Sequence, residues 1–119
     1  MPTVLIIEDM DDLRAMMGRI CEALGFEVVD ARNGEDGIKL AQSAMPALII
    51  VDLAMPFVSG ASVMEFLRKS EALKHIPVIF ISALPGAAQV AKQYNAEVFL
   101  AKPFNPNALR QAIARVGVQ

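Results

Sequence analysis

The sequence predicts a three-layer α/β/α sandwich built on a doubly wound, five-stranded parallel sheet. Three observations carry that expectation. Short aliphatic or β-branched runs recur five times, at Val4–Ile7, Glu27–Asp30, Leu48–Val51, Val78–Ile81 and Val98–Ala101. Each is followed, after a few turn-forming residues, by a stretch with helical spacing. The runs are apolar on both faces, as strands are when helices cover a parallel sheet on both sides. Composition agrees: of 119 residues, 55% are hydrophobic and only 20% charged, against roughly 45–50% apolar in ordinary soluble domains. A central sheet without a solvent face accounts for most of that excess.

The elements follow in order. After the first run, Leu13, Met16, Met17, Ile20 and Leu24 fall on one helix face, and Gly25 ends that helix at the C′ position. The two methionines read as core residues, with one of them able to reach the rim of the fold where a partner would dock, and Cys21 as a small buried or half-buried helix residue. Asn33 caps a second helix whose inward residues are Ile38, Leu40 and Ala41. A third helix, over residues 61–69, carries Val63, Phe66 and Leu67 inward. Asn105 as N-cap and Pro106 at the first helical position open the last helix, which turns Leu109, Ile113 and Val116 inward. His75, the only histidine, sits in the turn before Ile76-Pro77 and reads as solvated.

Several classes of function are excluded. With 11 Lys and Arg against 13 Asp and Glu, the net charge of −2 lacks the basic excess of a general nucleic-acid binder. The longest uncharged stretch begins at Ile76 and is broken by Pro77, Pro85 and Gly86 before Lys92, whereas a membrane span needs roughly 20 apolar residues. The N-terminus has no basic region and reaches Glu8 and Asp9 after four strongly apolar residues, unlike a secretory signal. Cys21 is the one cysteine, so no internal disulfide forms and a reduced, cytoplasmic setting is expected.

In an open parallel sheet, ligands bind beyond the carboxyl ends of the strands, where the winding direction reverses. Those ends carry Glu8 and Asp9, then Asp52, Ser82 and Lys102. Three carboxylates held together raise one another's pKa values. A hard divalent cation, Mg²⁺ or Mn²⁺, removes that conflict and takes carboxylates, waters and a phosphoryl oxygen as ligands. Lys102 and Ser82 suit the remaining oxygens of a transferring phosphoryl group. Asp52, central at the end of the middle run, is the candidate nucleophile, and an aspartyl phosphate is the expected product.

At this point the sequence resembles the receiver domain of two-component response regulators, the family that includes the single-domain chemotaxis regulator. The resemblance rests on Glu8-Asp9, Asp52 followed by Leu53-Ala54-Met55-Pro56, Gly60, Ile81-Ser82-Ala83 and Lys102-Pro103-Phe104, and it covers residues 1–119 as one domain. It implies the flavodoxin-like strand order 2-1-3-4-5. It further implies that Asp52 accepts a phosphoryl group from a phosphohistidine on a histidine kinase or a histidine phosphotransfer protein. Asp9, Asp52 and the backbone carbonyl of Ala54 would ligate Mg²⁺, with Glu8 acting mostly through water. Ser82 and the Leu53 and Ala54 amides would hold phosphoryl oxygens, and Lys102 would pair with another. The Lys102–Pro103 peptide bond is expected to be cis. Ser82 and Phe99 occupy the family's switch positions, although burial alone also explains Phe99. Asp11 and Asp12 read as first-turn acids that complement a helix dipole.

Two departures from the family pattern bear on output. The segment from Ala83 to Ala91 carries no charge, and Pro85-Gly86 is expected to delay or shorten the fourth helix and leave an apolar output face. In relatives the fourth helix, fifth strand and fifth helix report phosphorylation to a downstream protein or to a second copy. The chain carries no output domain: Gln119 follows closely on the last helix, which suits either a stand-alone regulator or the receiver of a longer protein. Among other classes, an FMN binder needs hydroxyls and glycines where this chain has Glu8-Asp9-Met10-Asp11-Asp12. A haloacid-dehalogenase-type phosphatase expects an acid two residues beyond the nucleophile, where Ala54 stands. That favours a slowly hydrolysed switch over a turnover enzyme. An interaction module that keeps the receiver fold without being phosphorylated remains the alternative.

Overall fold

A computed structural model describes residues 1–55 and 59–117. Pro56 of the Asp52 motif and Gln119 lie outside the described residues. Five strands alternate with five helices: β1 (Thr3–Ile7), α1 (Asp11–Ala23), β2 (Glu27–Ala31), α2 (Gly34–Ala44), β3 (Leu48–Asp52), α3 (Gly60–Lys69), β4 (Val78–Ser82), α4 (Ala87–Gln93), β5 (Val98–Ala101) and α5 (Pro106–Val116). The strands form one parallel sheet in the order β2-β1-β3-β4-β5. The winding therefore reverses between β1 and β3, where Ile7 stands beside Val51.

Alternate residues of the central strands feed two cores. Val4, Ile6, Leu48, Ile50, Ile79 and Ile81 pack against α1 and α5. Leu5, Ile7, Ile49, Val51, Val78 and Phe80 pack against the helices on the other face. β3 and β4 are buried along their whole length, as are the last four residues of β1, and each such Leu or Ile contributes roughly 1.5–3 kcal/mol. Burial on both faces stops at the sheet edges, because β2 exposes Glu27 and Asp30, and β5 is only half covered.

Helix ends follow local chemistry. The side chains of Asn33, Ser59 and Asn105 accept hydrogen bonds from the Asp36, Ser62 and Ala108 amides, each satisfying a donor that the first helical turn leaves free. Gly25 follows α1 with φ +97°, a left-handed conformation that costs a residue without Cβ nothing. The inward face of α2 holds the expected residues, with Ala41 buried and Ile38 and Leu40 packed on the core, and extends to two glycines. Gly34, Gly37 and Ala41 are its buried residues, while Ile38 and Leu40 are half covered. The cause is close approach: a Cβ on Gly37 would sit 2.5 Å from Ile7 Cδ1, so backbone rather than side chain fills the contact. In α3 the buried residues include Met64, and Phe66 is only partly covered.

The fourth helix starts late and runs for seven residues from an uncapped Gly86 at φ +79°. The apolar surface expected here is confined to the residues ahead of the helix, where Leu84 is 48% exposed, and does not extend along it. Ala87 and Ala91 are buried and Val90 packs on the core, so Ala88, Gln89, Lys92 and Gln93 face outward. The far end of α4 is tied down by Arg68 of α3. All five of its N–H donors are used, on the carbonyls of Tyr94, Asn95, Lys74 and Ile76 and on Glu97 Oε1, at 2.9–3.3 Å. No helix among the described residues is long and apolar enough to cross a membrane.

Candidate functional site

The parallel register brings the strand-end residues to one edge of the sheet. Glu8 and Asp9 follow β1, Asp52 closes β3 on the neighbouring strand, Ser82 closes β4, and Lys102 follows β5. Glu8, Asp52 and Ser82 are buried and Asp9 is exposed. One carboxylate oxygen from each of Glu8, Asp9 and Asp52 lies within 4.8 Å of the others. Lys102 reaches across β4 to this cluster. Its ammonium donates to Asp52 Oδ2 at 2.8 Å and lies 2.9 Å from Glu8 Oε1. The Lys102–Pro103 bond is cis.

Backbone amides hold the cluster's oxygens. Asp52 Oδ1 accepts from the Ala54 amide at 3.1 Å, and Glu8 Oε2 accepts from the Met10 amide at 3.1 Å. Ser82 Oγ accepts from the Leu84 amide at 3.0 Å. Glu8 Oε1 is fully buried, and among the described residues no donor is aligned to hydrogen-bond it; the Lys102 contact is an ion pair by distance only. Burial, the largest influence, pushes the Glu8 carboxyl up to about 7, against the opposing pull of Lys102 and the Met10 amide. Burial also works against the Lys102 ammonium, but its contacts with Asp52 and Glu8 outweigh it and hold the pKa above the ordinary lysine value.

The donor set fits a hard divalent cation. Three carboxylates face one ammonium, so the cluster keeps an excess of negative charge, and all its free ligand atoms are oxygens. Lys102 meets Glu8 Oε1 by ion pairing without an aligned hydrogen bond, so that buried oxygen keeps capacity for a further positive partner.

Two supporting features lie around the cluster. Gly60 allows α3 to start against the Asp52–Leu53 backbone, where a Cβ would come within 2.6 Å of Leu53 Cα; its amide donates to the Leu53 carbonyl at 2.9 Å. Phe99 is half-buried beside Phe80, on the α4 side of the sheet.

Sequence reasoning placed one methionine of α1 at a docking rim but missed the rest of the surroundings of the site. Met10, Leu13, Met16, Pro103 and Phe104 line an open groove of about 520 Å³ whose wall also includes Lys102. Met16 thus leaves the fully buried core to Met17. The available signal was Met10, an apolar residue 57% exposed within an acidic turn. Arg14 was also missed; it donates to the Glu8 backbone carbonyl at 2.9 Å. Only its spacing of three from Asp11 was visible beforehand.

Comparison with known proteins came to the same place. The response regulator receiver domain family matches residues 4–114. The polar-differentiation response regulator DivK of Brucella anthropi is 33% identical over 105 residues, covering 87% of this chain and 85% of that protein. The chemotaxis response regulator CheY4 of Vibrio cholerae superposes with a TM-score of 0.90 at 30% identity, over 98% of both chains. A response regulator structure from Chloroflexus aurantiacus gives a TM-score of 0.90 at 25% identity, over 97% of this chain and 96% of that one.

Proposed function

The chain belongs to the response regulator receiver domain family of two-component signalling, and from that premise we propose that Asp52 is its phosphoacceptor. Receiver domains are response regulators rather than turnover enzymes, and they work with histidine kinases or phosphotransfer proteins and with downstream partners. One observation carries the reading. A buried carboxylate at the winding reversal is paired at 2.8 Å with a lysine from two strands away, beside two further acids.

In the proposed reaction an Asp52 carboxylate oxygen attacks the phosphorus of a partner's phosphohistidine. The new O–P bond forms as the N–P bond breaks, and the electron pair returns to the imidazole nitrogen. Asp9, Asp52 and the Ala54 carbonyl would hold Mg²⁺, with Glu8 acting mainly through water. The cation would supply charge neutralisation for the phosphoryl oxygens. Lys102 holds Asp52 before transfer and pairs with a phosphoryl oxygen after it. The Ala54 amide and the Ser82 hydroxyl would serve the other oxygens; the Leu53 amide, expected to join them, instead donates to the Ile81 carbonyl at 3.0 Å. The adjoining apolar groove suits the phosphodonor protein, because Lys102 forms part of both groove and acid cluster.

Ser82 links the site to the output side. Its hydroxyl holds the Leu84 amide, so turning toward a phosphoryl group releases that amide and loosens residues 83–86 ahead of α4. Phe99 lies on the same side of the sheet and would follow into the vacated space. The downstream partner, or a second copy, would read that face. The test is incubation with Mg²⁺ and acetyl phosphate followed by intact mass. One added phosphoryl group that does not form when EDTA is present from the start is expected; no adduct in Mg²⁺ would overturn the assignment.

A further inference from the structure

We infer that Arg14 is a positioning residue for the metal-binding turn: its guanidinium fixes the Glu8–Asp9 peptide and so sets the affinity of the acid cluster for a divalent cation. The inference rests on the site proposed above. Glu8 is the first residue beyond β1. Its amide still donates to the Ala31 carbonyl at 3.0 Å, and its side chain accepts from Met10. Its carbonyl points instead to Arg14, where Nη1 donates at 2.9 Å. The same guanidinium places Nη2 2.6 Å from Asp11 Oδ1 in the first turn of α1, and Nε 3.6 Å from Asp30 Oδ2 on β2. One planar cation thus spans three elements around the turn that carries Glu8 and Asp9.

Burial separates the partners in this network. The Arg14 side chain is 13% exposed, whereas Asp11 and Asp30 are largely open to solvent. The arginine is therefore the fixed member, held by the structure rather than by mobile surface pairs. Its fork geometry can serve a carbonyl and a carboxylate together, which a single ammonium on a flexible stem cannot do from the same position. Holding the peptide on both sides of Glu8 limits how far either acid can swing.

Charge and positioning predict opposite signs, which makes the role testable. A nearby cation repels Mg²⁺, so if Arg14 acted by charge alone its removal would tighten metal binding. If it acts by holding the turn, removal loosens metal binding, by about tenfold as for other groups that orient metal ligands.

Mg²⁺ titration calorimetry on the full chain decides between them, with circular dichroism in EDTA to check folding. Arg14→Gln and Arg14→Lys are both expected to raise the Mg²⁺ Kd about tenfold, and Asp30→Asn to raise it less. An Arg14→Gln protein that binds Mg²⁺ as tightly as wild type, or more tightly, would overturn the inference while leaving the site intact. Should Arg14→Gln fail to fold, the charge-preserving Arg14→Lys decides the same question, and an unchanged Kd overturns it. Absence of saturable Mg²⁺ binding in the wild type would remove the proposed site and the inference together.

Discussion

Glu8 has no solvent exposure, yet one of its oxygens lacks an aligned donor and two other acids lie close by. Without a metal, its charge opposes folding, since burial outweighs the help from Lys102 and the Met10 amide. Replacing Glu8 by Gln removes one of the crowded negative charges. In EDTA at pH 8, Glu8→Gln should therefore raise the unfolding free energy by on the order of 1 kcal/mol, while weakening Mg²⁺ binding. Urea titration with and without Mg²⁺ checks both, and a less stable metal-free variant would contradict the account. At Cys21 burial dominates and the neighbouring Glu22 charge adds to it, pushing the thiol up to about 12 from 9.0. A raised folded pKa means the thiol is protonated, and its contribution intact, below pH 9; that contribution fades as pH climbs toward 12. The native protein should accordingly resist alkylation at pH 8 and react promptly in denaturant. Rapid modification of the folded chain would show that Cys21 is accessible.

Among the elements, α4 is held more firmly at one end than at the other. Gly86 opens it without a side-chain cap, whereas the Arg68 guanidinium binds the carbonyls just past its other end. Arg68→Ala would leave four backbone carbonyls and Glu97 without that partner. A loss of about 3 kcal/mol in urea unfolding is expected from uncompensated polar groups at this site, whereas Lys69→Ala beside it, on the exposed side of α3, should leave the midpoint unchanged. A loss no greater for Arg68 than for Lys69 would refute the clamp. This feature had no signature in the sequence, because the partners of Arg68 are backbone carbonyls 26 and 27 positions away as well as those in the adjacent turn. By contrast, the late start of α4 could be read from Pro85-Gly86, since backbone preference is local. Its outward face could not. Absence of charge between Ala83 and Ala91 was shared between two buried alanines and an exposed Gln89, and sequence alone does not say which way each points. The buried glycines of α2 escaped for a related reason: Gly37 is covered by close backbone approach to Ile7, which leaves no apolar side chain to count.

At the scale of the whole molecule, topology assembles the site. Parallel strands ordered β2-β1-β3-β4-β5 bring Glu8, Asp9, Asp52, Ser82 and Lys102 together, although 94 positions separate Glu8 from Lys102 (102 − 8). Those five residues were legible because periodicity locates strand ends, and strand ends in this architecture converge. Contacts that bind the frame from outside, such as Arg14 on the Glu8 carbonyl, depend on side-chain reach and were not legible. The cluster, its lysine and the neighbouring apolar groove are the observations behind the proposal that Asp52 takes the phosphoryl group in this receiver. Site mapping tests that claim most directly: after Mg²⁺ and acetyl phosphate, borohydride reduction converts an aspartyl phosphate to homoserine, which peptide mass spectrometry locates. The account predicts homoserine at position 52 and none in Asp52→Asn; homoserine at another acid, or persistence of the adduct in that variant, would contradict it.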